Sequence, residues 1–430
     1  MTTVIHGRQD RQASGRDTAS LFPGRGRGRR PEAPQSSSPH LSDLPSPPAT
    51  WYYAKNVAAL LDDDADTRLT RRNSRYAGRE VLWERSRIER VRKCGRVPIT
   101  EGGIPVHDNL GVSHYSGLAT CGSIWAEPVC SAKIRNVRST EISTATANWC
   151  KQGNSVFMAT LTAPHDKGMR LGNLMDVIAA AFRAVIGCRA WRRLKKQHGI
   201  IGQIRSTEVT YGENGWHPHL HVLIFVEGDL GAAGLAAVTM HVQGTWSAQL
   251  VKAGYRAPSL IHGVQIVRCY SAAEAGAYIA KTQDGRSPGN ELARGDLKTG
   301  RQGSRTPFQI LEDFRWTGDL ADLVLWHEYE KATKGKQAIA WSKGLRKLLL
   351  TEPEKTDEEV AAQEVGGEVI AVIPVPVWKK IVRIPGIPSS LLDAAEKSGI
   401  IGINALLARY KLGRAVLPSS PGEANDDEPP

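Results

Sequence analysis

Apolar and polar positions divide residues 151–285 into a regular series of elements. Residues 155–162, SVFMATLT, are apolar and β-branched and predict a strand. Residues 171–197 carry apolar positions at helical spacing and end in the basic run Arg192-Arg193-Leu194-Lys195-Lys196, predicting one long helix. Residues 203–211 and 219–227 predict two strands flanking a turn rich in Gly and Asn. The Ala-rich stretch 231–253 predicts a helix, and HGVQIVR over 262–268 alternates as a strand does. A last helix is predicted over 271–282, with Ser271 as its cap. The order β-α-β-β-α-β-α predicts an α+β fold with a mainly antiparallel sheet of split βαβ (RRM-like) type. Element order alone leaves function open.

The flanking regions are less regular. Residues 1–50 are rich in Pro, Ser, Gly and Arg, and residues 418–430 are acidic; both predict disordered tails, since neither can bury enough apolar surface to offset its ordering entropy. Residues 67–96 hold eleven Lys/Arg against three Asp/Glu, which suits either a helix lying on phosphates or a solvated basic face. Beyond the regular region the pattern predicts a charged loop over 286–306 and helices over 319–333 and 341–350. An acidic linker over 352–364, an interrupted strand over 369–382 and a helix over 389–411 follow. The corresponding division is a basic, cysteine-containing region at 51–150, a core domain at 151–285, an extension at 286–350 and a small accessory module at 351–417.

Charge narrows the partners. The 430 residues include 56 Lys+Arg and 44 Asp+Glu, a net charge of +12, which favours nucleic acid first and a membrane surface second. No apolar run approaches the ~20 residues that span a bilayer, and the N-terminus lacks the apolar core of a secretory signal, so a cytoplasmic protein with no membrane partner is expected. Six cysteines suit reduced thiols or a metal site better than a disulfide framework. The stretch Cys121–Cys130 looks like a zinc-ribbon knuckle with Glu127 in place of a second cysteine. Cys94, Cys121, Glu127 and Cys130 are therefore candidates for a structural zinc site, beside the alternative of packed thiols.

The sharpest chemical signal is His217-Pro218-His219-Leu220-His221. On a strand, His219 and His221 project to one face while Leu220 faces the other. Two imidazoles and a carboxylate can hold a divalent cation and leave positions open to substrate oxygens. Hairpin register supplies the carboxylate. With Asn214-Gly215 as a two-residue type I′ turn, Glu208 pairs with His221; with a four-residue loop over 212–215, it pairs with His219. Either way Glu208 shares the histidine face, and only a one-residue slip would remove it. His217 is a further candidate ligand, with Pro218 disturbing the strand beside it.

Glu274, Tyr278 and Lys281 lie at i, i+4 and i+7 of the predicted last helix and share a face. A phenolate can attack phosphorus to form a phosphotyrosine. Lys281 can neutralise a phosphate oxygen or lower the phenol's pKa, and Glu274 can act as a base on water. Tyr270 is a competing nucleophile.

Together these residues resemble the HUH endonucleases, and within them the single-tyrosine rolling-circle replication initiators of actinobacterial plasmids. Phe157–Thr162 resembles the family's first motif, 215–221 its histidine motif, and Glu274-x-x-x-Tyr278-x-x-Lys281 its third. The resemblance spans about residues 80–350, including the stretch 340–346, and implies a cysteine where this chain has Glu127. It implies the HUH fold, Mg2+ or Mn2+ as cofactor, plasmid origin DNA as substrate, and host helicase and polymerase as partners. Transposases and relaxases share this chemistry. A non-catalytic DNA-binding regulator would leave the Glu274–Tyr278–Lys281 face unexplained.

Overall fold

The computed structural model describes residues 64–269, 304–364 and 366–418. The chain begins with helices α1 (Asp64–Arg85) and α2 (Glu89–Lys93), strands β1 (Ile104–Asn109) and β2 (Val112–Tyr115), and the long helix α3 (Pro128–Lys151). Next come β3 (Ser155–Thr162), α4 (Leu171–Gly187), α5 (Arg189–Gln197), β4 (Ile200–Gly212), β5 (Gly215–Val226), α6 (Gly231–Lys252) and β6 (Val264–Cys269). After residue 303 follow α7 (Pro307–Thr317), α8 (Leu320–Thr333), β7 (Ile339–Trp341), α9 (Leu345–Leu349) and α10 (Asp357–Ala362). The described chain ends with β8 (Glu368–Ile373), α11 (Val375–Ile381) and α12 (Ile387–Arg409).

The main sheet has the order β6-β3-β5-β4-β7, all neighbours antiparallel. Its first four strands arise from the sequence β-α-β-β-α-β, the split βαβ arrangement that the hydrophobic pattern predicts. One face carries Phe157, Ala159, Leu161, Leu220, Val222 and Ile224, packed against Ile178, Phe182 and Val185 of α4 and Val238, Val242 and Trp246 of α6. On the other face α3 covers only one end, with Ile142, Ala145 and Trp149 on Val156, Ile204, Leu223 and Phe225. The strand positions beyond that cover are polar: Thr160, Ser206, Glu208, His219 and His221.

A second sheet, β2-β1-β8, joins residues near 110 to residues near 370. Ile104 and Val106 of β1 are buried with Ala371, Ile373, Trp378 and Leu391. The segment expected as an accessory module thus contributes a strand to a sheet begun before residue 118.

Several sequence expectations change. Residues 171–197 form two helices, because Cys188 adopts an extended conformation (φ −78, ψ 163) and its side chain caps α5 by accepting from Trp191 N–H. Residues 341–350 are not one helix: Ser342 is held on the edge of β4 through Gln203, and Gly344 is left-handed before α9 starts. The acidic linker contains α10, fixed by a Thr356–Glu359 capping box and by burial of Val360 and Ala361. Within 369–382 only the first half is a strand; Pro374 and Pro376 begin α11, where a missing N–H costs nothing. The strands β1 and β2 and helices α3 and α7 escape the pattern reading. The predicted helix 271–282 and both tails lie outside the described residues.

Candidate metal centre

The β4–β5 hairpin sets the site. Gly212 pairs with Gly215, so the loop is Glu213-Asn214, and Glu208 faces His219. The expected type I′ turn over Asn214-Gly215 does not form. Neither Glu213 nor Asn214 has positive φ, whereas Gly215 does (φ 85), which is a two-residue turn followed by a left-handed glycine. The pairing is that of the longer-loop alternative.

This register brings three ligand atoms together. Glu208 Oε2 lies 2.9 Å from His219 Nε2 and 3.1 Å from His221 Nε2, and the two imidazole nitrogens are 3.2 Å apart. Without a cation, both neutral rings can donate Nε2–H to the one Glu208 oxygen; with one, the same three atoms are free to turn their lone pairs inward. Two imidazoles and a carboxylate converging in this way form a donor set that fits a divalent cation. Thr160 Oγ1 is 3.2 Å from His221 Nδ1 and can hold the ring with Nε2 toward the cluster.

His217 is placed differently. Its ring stacks on His165, with centroids 4.6 Å apart, and it lies outside the group of converging ligand atoms. Burial, and then the neighbouring His219 and His165, push its pKa down to about 4. His217 and His165 face a cavity of about 680 Å³ beside the cluster.

A second group gathers on α1, the 94–121 region and the start of α3. The Cys94, Cys121 and Cys130 sulfurs and the Glu127 carboxylate lie within 4.8 Å of one another, all buried. Cys94 and Cys130 sulfurs are 3.4 Å apart. Hydrogen bonds from Cys121 and Cys94, assisted by Arg79, pull the Cys130 thiol well below its ordinary range; their own thiols are pushed up. Glu127 is heavily engaged. It caps α3 by accepting from Val129 and Cys130 N–H, and Arg79 donates to both its oxygens at 3.0 and 3.2 Å. Three sulfurs therefore suit a soft cation, while Glu127 is already occupied as helix cap and counter-ion.

Glu274, Tyr278 and Lys281, and the competing Tyr270, lie outside the described residues. Sequence reasoning missed Thr160, His165 and Arg79. Thr160 is one strand over from His221 and legible only once β3 is paired. Arg79 and His165 stand 48 and 52 residues from the groups they serve, Glu127 and His217, with no local spacing to expose them.

The sequence is similar to a Protein rep of Streptomyces lividans, 36% identical over 338 residues covering 64% of this chain and 74% of the relative. A Protein rep of Lentilactobacillus hilgardii is 26% identical over 70% of this chain and 88% of its own. A shorter match, 39% identical over 143 residues, is to a protein of Streptomyces cyanogenus named Neomycin resistance protein, 33% of which is covered. No protein-family model matches the sequence. No solved structure matches it.

Proposed function

This chain belongs to the Rep family of plasmid replication initiators, and on that premise we propose that it is a metal-dependent HUH endonuclease that nicks one strand at a plasmid's double-strand origin. The observation that carries the reading is the convergence of Glu208, His219 and His221 on one face of the β4–β5 hairpin, left open by α3. The strand alternation that puts these three groups on one face buries Leu220 on the other, so the site stands on the sheet.

A divalent cation, Mg2+ or Mn2+, held by Glu208, His219 and His221 would polarise the scissile P–O bond. Thr160 orients His221 from the nitrogen that faces away from the cluster. Tyr278 Oη attacks phosphorus. The Tyr278 O–P bond forms, the P–O3′ bond breaks, the phenolic proton leaves to solvent, and a protonated 3′-OH is released to prime synthesis. Lys281 neutralises a non-bridging phosphate oxygen. At the end of a round Glu274 takes a proton from water, whose oxygen attacks the tyrosine-linked phosphorus; the Tyr278 O–P bond breaks, the phenolate regains a proton, and the DNA is freed with a 5′-phosphate, whereas a 3′-OH making the same attack rejoins the strand. Origin DNA is the substrate, with host helicase and polymerase extending the freed 3′ end. The Cys94–Cys121–Cys130 cluster has a structural role, with Zn2+ as the cation suited to its sulfurs.

Tyr278→Phe is expected to abolish nicking of a single-stranded origin oligonucleotide and the covalent 5′-linked adduct. Mass spectrometry of the Tyr278 peptide checks this directly, and adducts retained in the variant would refute the assignment. Glu208→Ala and His219→Ala are expected to lose Mn2+-dependent cleavage while keeping DNA binding.

A further inference from the structure

The His165–His217 pair has no part in the ligand set, yet it adjoins it. The rings lie 4.6 Å apart and nearly parallel, at 15°, and His217 sits 5.1 Å from the ring of His219. The two rings stack face to face, and the outer face of that stack is a ledge on the 680 Å³ cavity beside the metal cluster. That volume falls in the ~300–1,000 Å³ range of pockets that enclose a small organic ligand. The cavity shares Thr160 with the cluster, and Thr162 and Gln265 add groups able to hydrogen-bond a base edge. Arg256, exposed at the mouth and paired with Asp166 at 2.6 Å, offers a cation to a phosphate. Leu260 and Ile261 stand 83% and 75% exposed beside it, an apolar rim with no cover among the described residues. Flat rings, base-edge partners, a cation and an apolar rim are the components of single-strand recognition, in which bases stack on aromatic faces.

We propose that this cavity receives the base of a nucleotide adjoining the scissile phosphate, stacked on the His165–His217 ledge, so that His217 positions DNA rather than binding metal. The inference rests on the nicking reading above. It makes the His217–His219 step a boundary: the imidazoles of His219 and His221 hold the cation, and those of His217 and His165 hold the strand. The ledge is then a determinant of which phosphate reaches the metal.

The test uses the full chain and single-stranded 25-mers spanning the nick, each with one base replaced by 2-aminopurine, whose fluorescence is quenched on stacking. One position beside the nick is expected to be quenched by the wild type and not by His165→Ala or His217→Ala. Affinity for the strand should fall on the order of tenfold in each, the scale of one base–aromatic stack. His217→Phe, which keeps a flat ring and removes both nitrogens, should restore quenching, and Mn2+ binding should be unchanged in all three variants. Loss of Mn2+ binding in His217→Ala and His217→Phe would make His217 a ligand and overturn the proposal. Cleavage without quenching at any position would also overturn it while leaving the nuclease intact. Quenching without cleavage would support the cavity and remove the nicking reading.

Discussion

At the scale of single residues, the candidate metal centre leans on side chains outside its ligand set. Thr160 Oγ1 stands 3.2 Å from His221 Nδ1, a partner that can set which nitrogen of that ring faces Glu208. Groups in this position commonly tune metal affinity by about 10–100-fold. Thr160→Val keeps the shape and removes the hydroxyl, so Mn2+ affinity measured by calorimetry is expected to drop within that range with little change in melting temperature. Unchanged affinity would show that packing alone orients His221. Around the cysteines, Arg79 has the corresponding duty. It donates to both oxygens of the buried Glu127, so the charge that Glu127 brings beside the sulfurs is already compensated. Purified protein is expected to carry one equivalent of zinc by elemental analysis, retained in His219→Ala and lost in a Cys94→Ser/Cys130→Ser variant. Zinc absent from freshly purified wild type would leave the sulfurs as packed thiols.

At the scale of elements, the β4–β5 hairpin does most to make the site, and one glycine sets its turn. Gly215 has φ 85, and a Cβ there would lie 3.3 Å from Lys167 Cα. A side chain in this left-handed conformation costs about 1–2 kcal/mol. Gly215→Ala is expected to lower stability by that amount in a denaturant melt and to weaken Mn2+ binding together with it, since the register of Glu208 is set from this end. Stability equal to wild type would mean that strand pairing, not the turn, fixes the register. The hairpin also couples the two candidate metal groups. Trp216, fully buried between Gly215 and His217, belongs to the same packed core as Cys94, Cys121 and Cys130.

At the scale of the whole molecule, helix α12 closes the β2-β1-β8 layer against α1 through buried charge. Arg72 donates to Asp393 at 2.8 Å and also to Glu396. Glu80 accepts the Gly386 N–H at 3.0 Å. Burial pushes Glu80 from 4.5 up to about 7, and burial pushes Asp393 from 3.8 up to about 6 despite Arg72. For Glu80 the folded chain holds the proton more tightly than the unfolded chain does. Its stabilisation is therefore full below pH 4.5 and is lost as pH rises through 7. The loss amounts to roughly 3 kcal/mol. Glu80→Gln keeps an acceptor for Gly386 and removes the titration. Its melting temperature relative to wild type should rise between pH 4.5 and 7 and level off above that; a constant difference would locate the pH response elsewhere. No single helix among the described residues is long and apolar enough to cross a membrane.

The sequence by itself determined the order of the sheet's elements and brought the candidate metal ligands to one face. Both depend on local rules: period-two alternation puts His219 and His221 on one face, and hairpin pairing across a few residues delivers Glu208. The strand boundaries of β3 and the extent of α6 were legible for the same reason. What only the tertiary structure decided was long-range. The pairing of β1 with β8 spans more than 250 residues, and no periodicity records a partner so distant. The role of His217 was equally hidden, because alternation gives it the same face as His219 and only the approach of His165 turns it toward a stack. The cysteine cluster lay between the two. Its members were visible as residue types, but the buried Arg79 that occupies Glu127 came from another helix, and burial next to a charge is a property of packing, not of spacing.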